Sequence, residues 1–275
     1  MKTVTTTSVF PPCWDPEDIL LRLHKSSFTC LDLAFDYCIQ NKDYPFMTDA
    51  YELWVTNLKE KAQSLGITFT HGHAPFSAGA RGVLVEKTFH CASLLGIRYL
   101  VVHPQYKNKD GQNYEKEEFL EVNKEAILPL LTYAEKYNVV ILTENLLWGA
   151  SIRFAVISEL VERVNSPYFG WCYDIGHGHS QGEPLEALLD CRIPPLSLHI
   201  HDNHGNSRDE HLIPGDGTLD FEKCFSYLKR IGYAGDFVLE AHHQSVEAED
   251  KDRDAILERL YTQSQLLKEK HFGAV

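Results

Sequence analysis

The chain has 275 residues, of which 44% are hydrophobic and 24% charged, and its formal net charge is −13. That length and apolar content suit one large domain with a full core, spanning 1–275. The acidic balance without a basic stripe argues against nucleic acid as partner, and no apolar stretch approaches the roughly 20 residues of a membrane helix. In chain order, strands are expected near 2–9, 28–34, 67–73, 97–103, 138–144, 169–174, 196–201 and 236–240. Amphipathic stretches between them predict helices near 16–26, 47–65, 79–95, 115–137, 152–165, 183–190, 220–231 and 248–270. Gly66, Gly96 and Gly232 each fall between a helix and a strand, where a left-handed stop is wanted. Asp220 is placed to cap the seventh helix, with Glu222 in its first turn. Eight strands alternating with helices is the pattern of a single (β/α)8 TIM barrel.

The N-terminal MKTVTTTSVFPPCW lacks the apolar core of a signal peptide. Seven cysteines are scattered without a CxxC pair, which fits a reduced, cytoplasmic protein. The acidic runs 115–121 and 247–254 read as solvated helix faces.

Six of the apolar runs stop on a histidine or a carboxylate: His73, His103, Glu144, Asp174, His199 and Glu240. These are the side chains that hold divalent metals. Any one of them alone has an ordinary structural explanation, but carboxylates clustered without a cation would suffer repulsion and desolvation. Strand parity sharpens the point. Gly170, Cys172 and Asp174 share one face of their strand, and Phe169, Trp171 and Tyr173 the other. Ser197, His199 and His201 likewise oppose Leu196, Leu198 and Ile200. The bulky faces should pack on outer helices, and the ligand-type residues should converge inside the barrel at its carboxyl end.

The segments ENL (144–146), YDIGH (173–177), HIHDN (199–203), HLIPGDGTLDF (211–221) and LEAH (239–242) resemble the xylose-isomerase-like TIM-barrel superfamily. That group includes sugar-phosphate isomerases and epimerases, ketose 3-epimerases and endonuclease IV. Resemblance to the ketose 3-epimerases implies one divalent metal held by Glu144, Asp174, His199 and Glu240. It also implies that Glu144 and Glu240 act as catalytic acid and base on a sugar or sugar phosphate, with His177 on a substrate oxygen. His199 is preferred to His201 as the ligand because the family pattern H-x-x-[D/E] is met by His199 and Asp202. The mixed nitrogen and oxygen set suits Mn or Zn better than Mg or Co. His73, His103, His177, His201, His211 and Trp148 are expected substrate contacts.

Resemblance to endonuclease IV implies instead a three-zinc phosphodiesterase, with His73, His103, His177, Asp209 and His211 as additional ligands. Several departures weigh against it. Its D-T-C-H segment is D-I-G-H here, its H-L-N-D strand end is HIHD, the arginine of its D-R-H is Glu210, and its wedge residue after HAPY is Ser77. A non-catalytic barrel that binds a metal and a sugar is a third reading, disfavoured by the paired glutamates. His71 is equally readable as a core residue or a substrate contact, and Gly215–Gly217 as an ordinary turn. Phosphate recognition would require Arg153 or Arg208 to point into the mouth, and without a defined basic cluster a non-phosphorylated substrate is favoured. Association into a homo-oligomer is compatible with the sequence, which carries no interface signature.

Overall fold

The computed structural model describes residues 1–273. Among them, eight parallel strands close into a barrel in sequence order: β1 (Thr3–Thr6), β2 (Cys30–Ala34), β3 (Thr68–Ser77), β4 (Tyr99–His103), β5 (Val140–Glu144), β6 (Phe169–Asp174), β7 (Ser197–Ile200) and β8 (Asp236–Leu239). β8 pairs back onto β1 through Thr3 and Phe237, Val4 and Val238, and Thr5 and Leu239. The expected (β/α)8 barrel is therefore present as one unit.

The connecting helices are α1 (Pro16–Leu23), α2 (Phe35–Cys38), α3 (Tyr51–Ser64), α4 (Val83–Leu95), α5 (Lys116–Tyr137), α6 (Phe154–Val164), α7 (Ile175–Ser180), α8 (Phe221–Arg230), α9 (His243–Glu247) and α10 (Asp250–Phe272). Local chemistry sets their ends. Asp15 accepts from the Glu17 amide at the start of α1, and Pro16 supplies the first helical position, where no amide is needed. Asp220 caps α8 by accepting from Lys223 N at 2.9 Å, as expected. Gly66, Gly96 and Gly232 adopt φ of 70°, 84° and 73°, and Asn138 and Asn165 take the same left-handed role after α5 and α6.

Three expectations need correction. The region 183–190 is a 3-10 helix over Leu185–Asp190, opened by Pro184 and closed ahead of the Pro194–Pro195 pair, a short connector of the kind that 3-10 turns make. The first strand stops at Thr6, and Thr7–Val9 form a 3-10 turn capped by Thr6. β3 runs on to Ser77, past a register shift between His73 and Ser77. The short helices α2, α7 and α9 were not anticipated.

Strand parity is obeyed. Phe169, Trp171, Tyr173, Leu198 and Ile200 join the large apolar layer between sheet and helices. Fully burying a side chain of this kind is worth about 1.5–3 kcal/mol, so this layer dominates the fold's stability. Inside the barrel a smaller cluster of Val101, Val140, Leu142 and Cys172 makes the floor. His71 belongs to this interior. One ring nitrogen lies 3.1 Å from Ser197 Oγ, and burial lowers its pKa to about 3, which keeps it a neutral core residue.

Candidate metal and active site

The carboxyl ends of the strands deliver the polar side chains to one cavity of about 410 Å³. Its lining includes His73, His103, Glu144, His177, Asp209, His211 and Glu240. That volume lies near the lower end of ligand pockets, about 300–1,000 Å³, and suits a small metabolite. Glu144 ends β5 and Asp174 ends β6; His199 lies on β7, and Glu240 directly follows β8. Each of these four offers a ligand atom within 4.8 Å of the others. Glu144, Asp174 and His199 are buried to 1%, 0% and 0% exposure, which leaves bulk water little access to their charges.

The arrangement fits a cation. Glu144 Oε2, Asp174 Oδ2 and His199 Nε2 are buried without a hydrogen-bond partner. Orphaned buried carboxylate oxygens are costly unless a positive group meets them. The surrounding imidazoles meet part of that need. His199 Nδ1 lies 2.9 Å from Glu144 Oε1, His103 Nε2 lies 3.3 Å from Glu144 Oε2, and His73 Nδ1 lies 3.5 Å from Glu240 Oε1. Burial alone would raise the Glu144 carboxyl, but His199 and His103 hold it well below the ordinary range. Burial would lower His73, and the hydrogen bond and charge of Glu240 overcome it, raising His73 to about 9. Burial would lower His199 too, yet the neighbouring Cys172, Glu240 and Glu144 raise it well above its ordinary value. Protons on imidazoles thus occupy the electrostatic role that a metal ion would fill.

Backbone carbonyls aim two further rings. His177 Nδ1–H donates to the Asn145 carbonyl at 2.9 Å, and His211 Nδ1–H donates to the Glu240 carbonyl at 2.8 Å. Both therefore present Nε2 to Asp209, at 3.4 Å and 2.9 Å. Asp174 accepts from the His177 amide, so the carboxylate that ends β6 also caps α7 and fixes His177. Asn145 exchanges hydrogen bonds with the Asp174 backbone through both its amide atoms, which ties β5 to β6 at the site. His177, His201, Asp209 and His211 form a second group of ligand-type atoms within 4.8 Å of one another. His211 stands at φ 44°, a strained conformation for a histidine, held by its bond to Glu240.

Two residues read as substrate contacts sit elsewhere. His201 is fully buried and absent from the cavity lining; its Nε2 lies 3.2 Å from Asp174 Oδ1, and neither ring nitrogen has a hydrogen-bond partner. Gly176 makes room for this ring, since a Cβ there would fall inside it. Trp148 is 46% exposed on the rim, stacked on Tyr106 with ring centroids 4.7 Å apart, and does not line the cavity. Arg153 pairs with Glu183 at 2.6 Å, and neither it nor Arg208 reaches the cavity wall. Gly215 and Gly217 donate their amides to Asp202 Oδ2 at 2.9 Å each, so that loop is bound to the protein's own carboxylate.

Sequence reasoning missed Asp32. It is fully buried inside the barrel, with Oδ2 unpartnered, and burial raises its carboxyl to about 6 despite the charges of His73 and His199. Its alternation with Leu31 and Leu33 carried the signal. Asp36, Ser8 and His242, also missed, line the cavity on the side of β8, β1 and β2.

A closed parallel barrel with carboxylates and imidazoles converging at its carboxyl end defines a TIM-barrel enzyme scaffold with a metal-type site. A family model described as xylose isomerase-like TIM barrel matches residues 21–262, and the chain belongs to that family. The uncharacterized protein MJ1311 of Methanocaldococcus jannaschii is 30% identical over 215 residues, covering 72% of each chain. An inosose isomerase of Bacillus licheniformis is 30% identical over 149 residues, 51% of this chain and 52% of that one. The crystal structure of the IolI protein with a bound zinc atom superposes with a TM-score of 0.81 at 20% identity, covering 100% of both chains. An L-ribulose-5-phosphate 3-epimerase of Shigella boydii serotype 18 is 26% identical over 106 residues, 38% of this chain and 36% of that one, so the relatives include both isomerases and epimerases. Among the described residues, no helix is long and apolar enough to cross a membrane.

Proposed function

We propose that the protein is a metal-dependent isomerase or epimerase of a ketose-type sugar, working through an enediolate with Glu144 and Glu240 as the acid–base pair. The observation that carries this reading is the four-residue group Glu144, Asp174, His199 and Glu240, buried, convergent within 4.8 Å and orphaned of hydrogen bonds at Glu144 Oε2 and Asp174 Oδ2. Mn or Zn suits the mixed set best. When bound there, a divalent ion supplies Lewis acidity toward adjacent substrate oxygens and so acidifies the neighbouring C–H. The chain's own residues then handle the proton. One carboxylate oxygen, of Glu144 or Glu240, accepts it from carbon, and the other glutamate returns it. Return to the opposite face gives epimerisation, and return to the neighbouring carbon gives isomerisation. His177, His73, His103 and His211 face the cavity and hold substrate hydroxyls. The names of the inosose isomerase and the ribulose-phosphate epimerase among the relatives support the polyhydroxy-ketone class.

The second group, His177, His201, Asp209 and His211, favours one competing reading: a multinuclear centre in which His73 and His103 also serve as ligands and the chemistry is phosphodiester hydrolysis. A barrel that binds metal and sugar without turnover is the remaining alternative. One experiment separates the three. Metal-loaded protein is incubated in D2O with a panel of ketoses and inososes, followed by proton NMR, and in parallel with an oligonucleotide carrying an abasic site. Solvent deuterium entering a carbon next to the carbonyl supports the proposal. Cleavage of the oligonucleotide with every sugar untouched refutes it in favour of the hydrolase. Inertness in both assays leaves the binding protein.

A further inference from the structure

The cavity wall has two halves of different chemistry. On the side of β5 to β8 stand the ligand-type residues. The side made by the ends of β8, β1 and β2 presents His242, Ser8 and Asp36. Among the described residues, no lysine or arginine lines the cavity. The imidazoles that face it are already engaged with carboxylates or with each other: His177 and His211 with Asp209, His73 with His103 and Glu240. Asp36 makes no ion pair among the described residues.

Charge then discriminates between substrates. Within the four-residue group the three carboxylates outnumber the two positive charges of one divalent ion by one. Asp36 adds another on the facing wall. His242 lines the same wall, its ring stacked on His211 with centroids 4.1 Å apart. A hydroxyl, an imidazole and a carboxylate suit the exchange of hydrogen bonds with sugar hydroxyls. The same surface repels a phosphate or carboxylate terminus.

Resting on the sugar-processing reading above, we propose that the arc of Ser8, Asp36 and His242 binds the distal hydroxyls of an uncharged polyhydroxy substrate. Asp36 is the residue that excludes a terminal phosphate. The test is equilibrium binding, which needs no turnover. Calorimetry at pH 7.5 on metal-loaded protein compares pentuloses and hexuloses with their terminal phosphates, in the wild type, Asp36→Asn and Asp36→Lys. The wild type should bind an uncharged sugar at least about tenfold more tightly than its phosphate, and Asp36→Lys should move that ratio toward the phosphate by about tenfold, with Asp36→Asn between them. Because Asp36 sits at an exposed rim, both variants should keep the wild-type melting temperature. Tighter binding of the phosphate by the wild type overturns the proposal, as does a ratio unmoved in Asp36→Lys, or failure to bind any sugar of either kind. Discrimination without turnover counts against the proposed reaction and leaves this assignment standing.

Discussion

Metal-free protein should show a pH-dependent stability that belongs to His73. The ordinary histidine value is 6.5; burial would lower it, and Glu240 raises it to about 9. The folded chain therefore keeps a proton that the unfolded chain releases between those values. This stabilisation is complete below pH 6.5 and is lost as the pH rises through 9. Two and a half units at 1.36 kcal/mol each give about 3 kcal/mol. The His73 side chain is 20% exposed, so the effect is only partly screened. The depression of Glu240, to which His199 and then His73 contribute, is in part the same interaction seen from its partner and is not added. The assay is urea unfolding of chelator-treated wild type and His73→Asn at pH 6, 7.5 and 10. The difference between the two proteins should shrink by about 3 kcal/mol from pH 6 to pH 10. A difference independent of pH would refute the pairing. Calorimetric titration of zinc at pH 7.5, in buffers of different ionisation enthalpy, should register proton release as the ion displaces protons from the imidazoles.

Two further changes test the supporting structure. Gly217→Ala would place a Cβ against the Asp202 carboxylate and 2.7 Å from the Asn203 amide nitrogen. Asp202 also accepts from the amides of Gly215 and Leu219, so the variant should lose about 3 kcal/mol in urea unfolding, the worth of two bonds to a charged group. Unchanged stability would contradict that role for Asp202. Asp32→Asn should stabilise metal-free protein. Burial raises this carboxyl from 3.8 to about 6, which costs about 3 kcal/mol at pH 7.5 and is relieved as the pH falls toward 4. A variant less stable than wild type at pH 7.5 would show that Asp32 is compensated in the fold.

Much of the site was legible because a barrel converts position along a strand into position in space. A ligand-type residue closing an apolar run lies at the carboxyl rim, and period two sends it inward; Glu144, Asp174 and His199 obey both rules. Depth was harder to read. His201 shares the inner face with His199, but the room for its ring comes from Gly176 on the neighbouring connection. No pattern within β7 specifies that. Asp32 alternates correctly in β2, yet a charged residue mid-strand reads as solvent-facing until closure of the barrel leaves no solvent inside. Trp148 follows the Glu144 motif closely, but its partner Tyr106 comes from the preceding connection and holds it on the rim. The 3-10 helix at Leu185–Asp190 has a helical spacing that does not distinguish a 3-10 turn from an α-helix over six residues.

The central claim is that Glu144 and Glu240 move the proton at a metal-supported carbon acid. Glu240→Gln tests it most directly, because the amide keeps an oxygen for the ion and removes the base. Metal content by elemental analysis should remain substantial, at one ion per chain, while turnover of a responsive ketose falls by about 10²–10⁴-fold. Turnover unchanged in a metal-loaded Glu240→Gln protein would contradict the account.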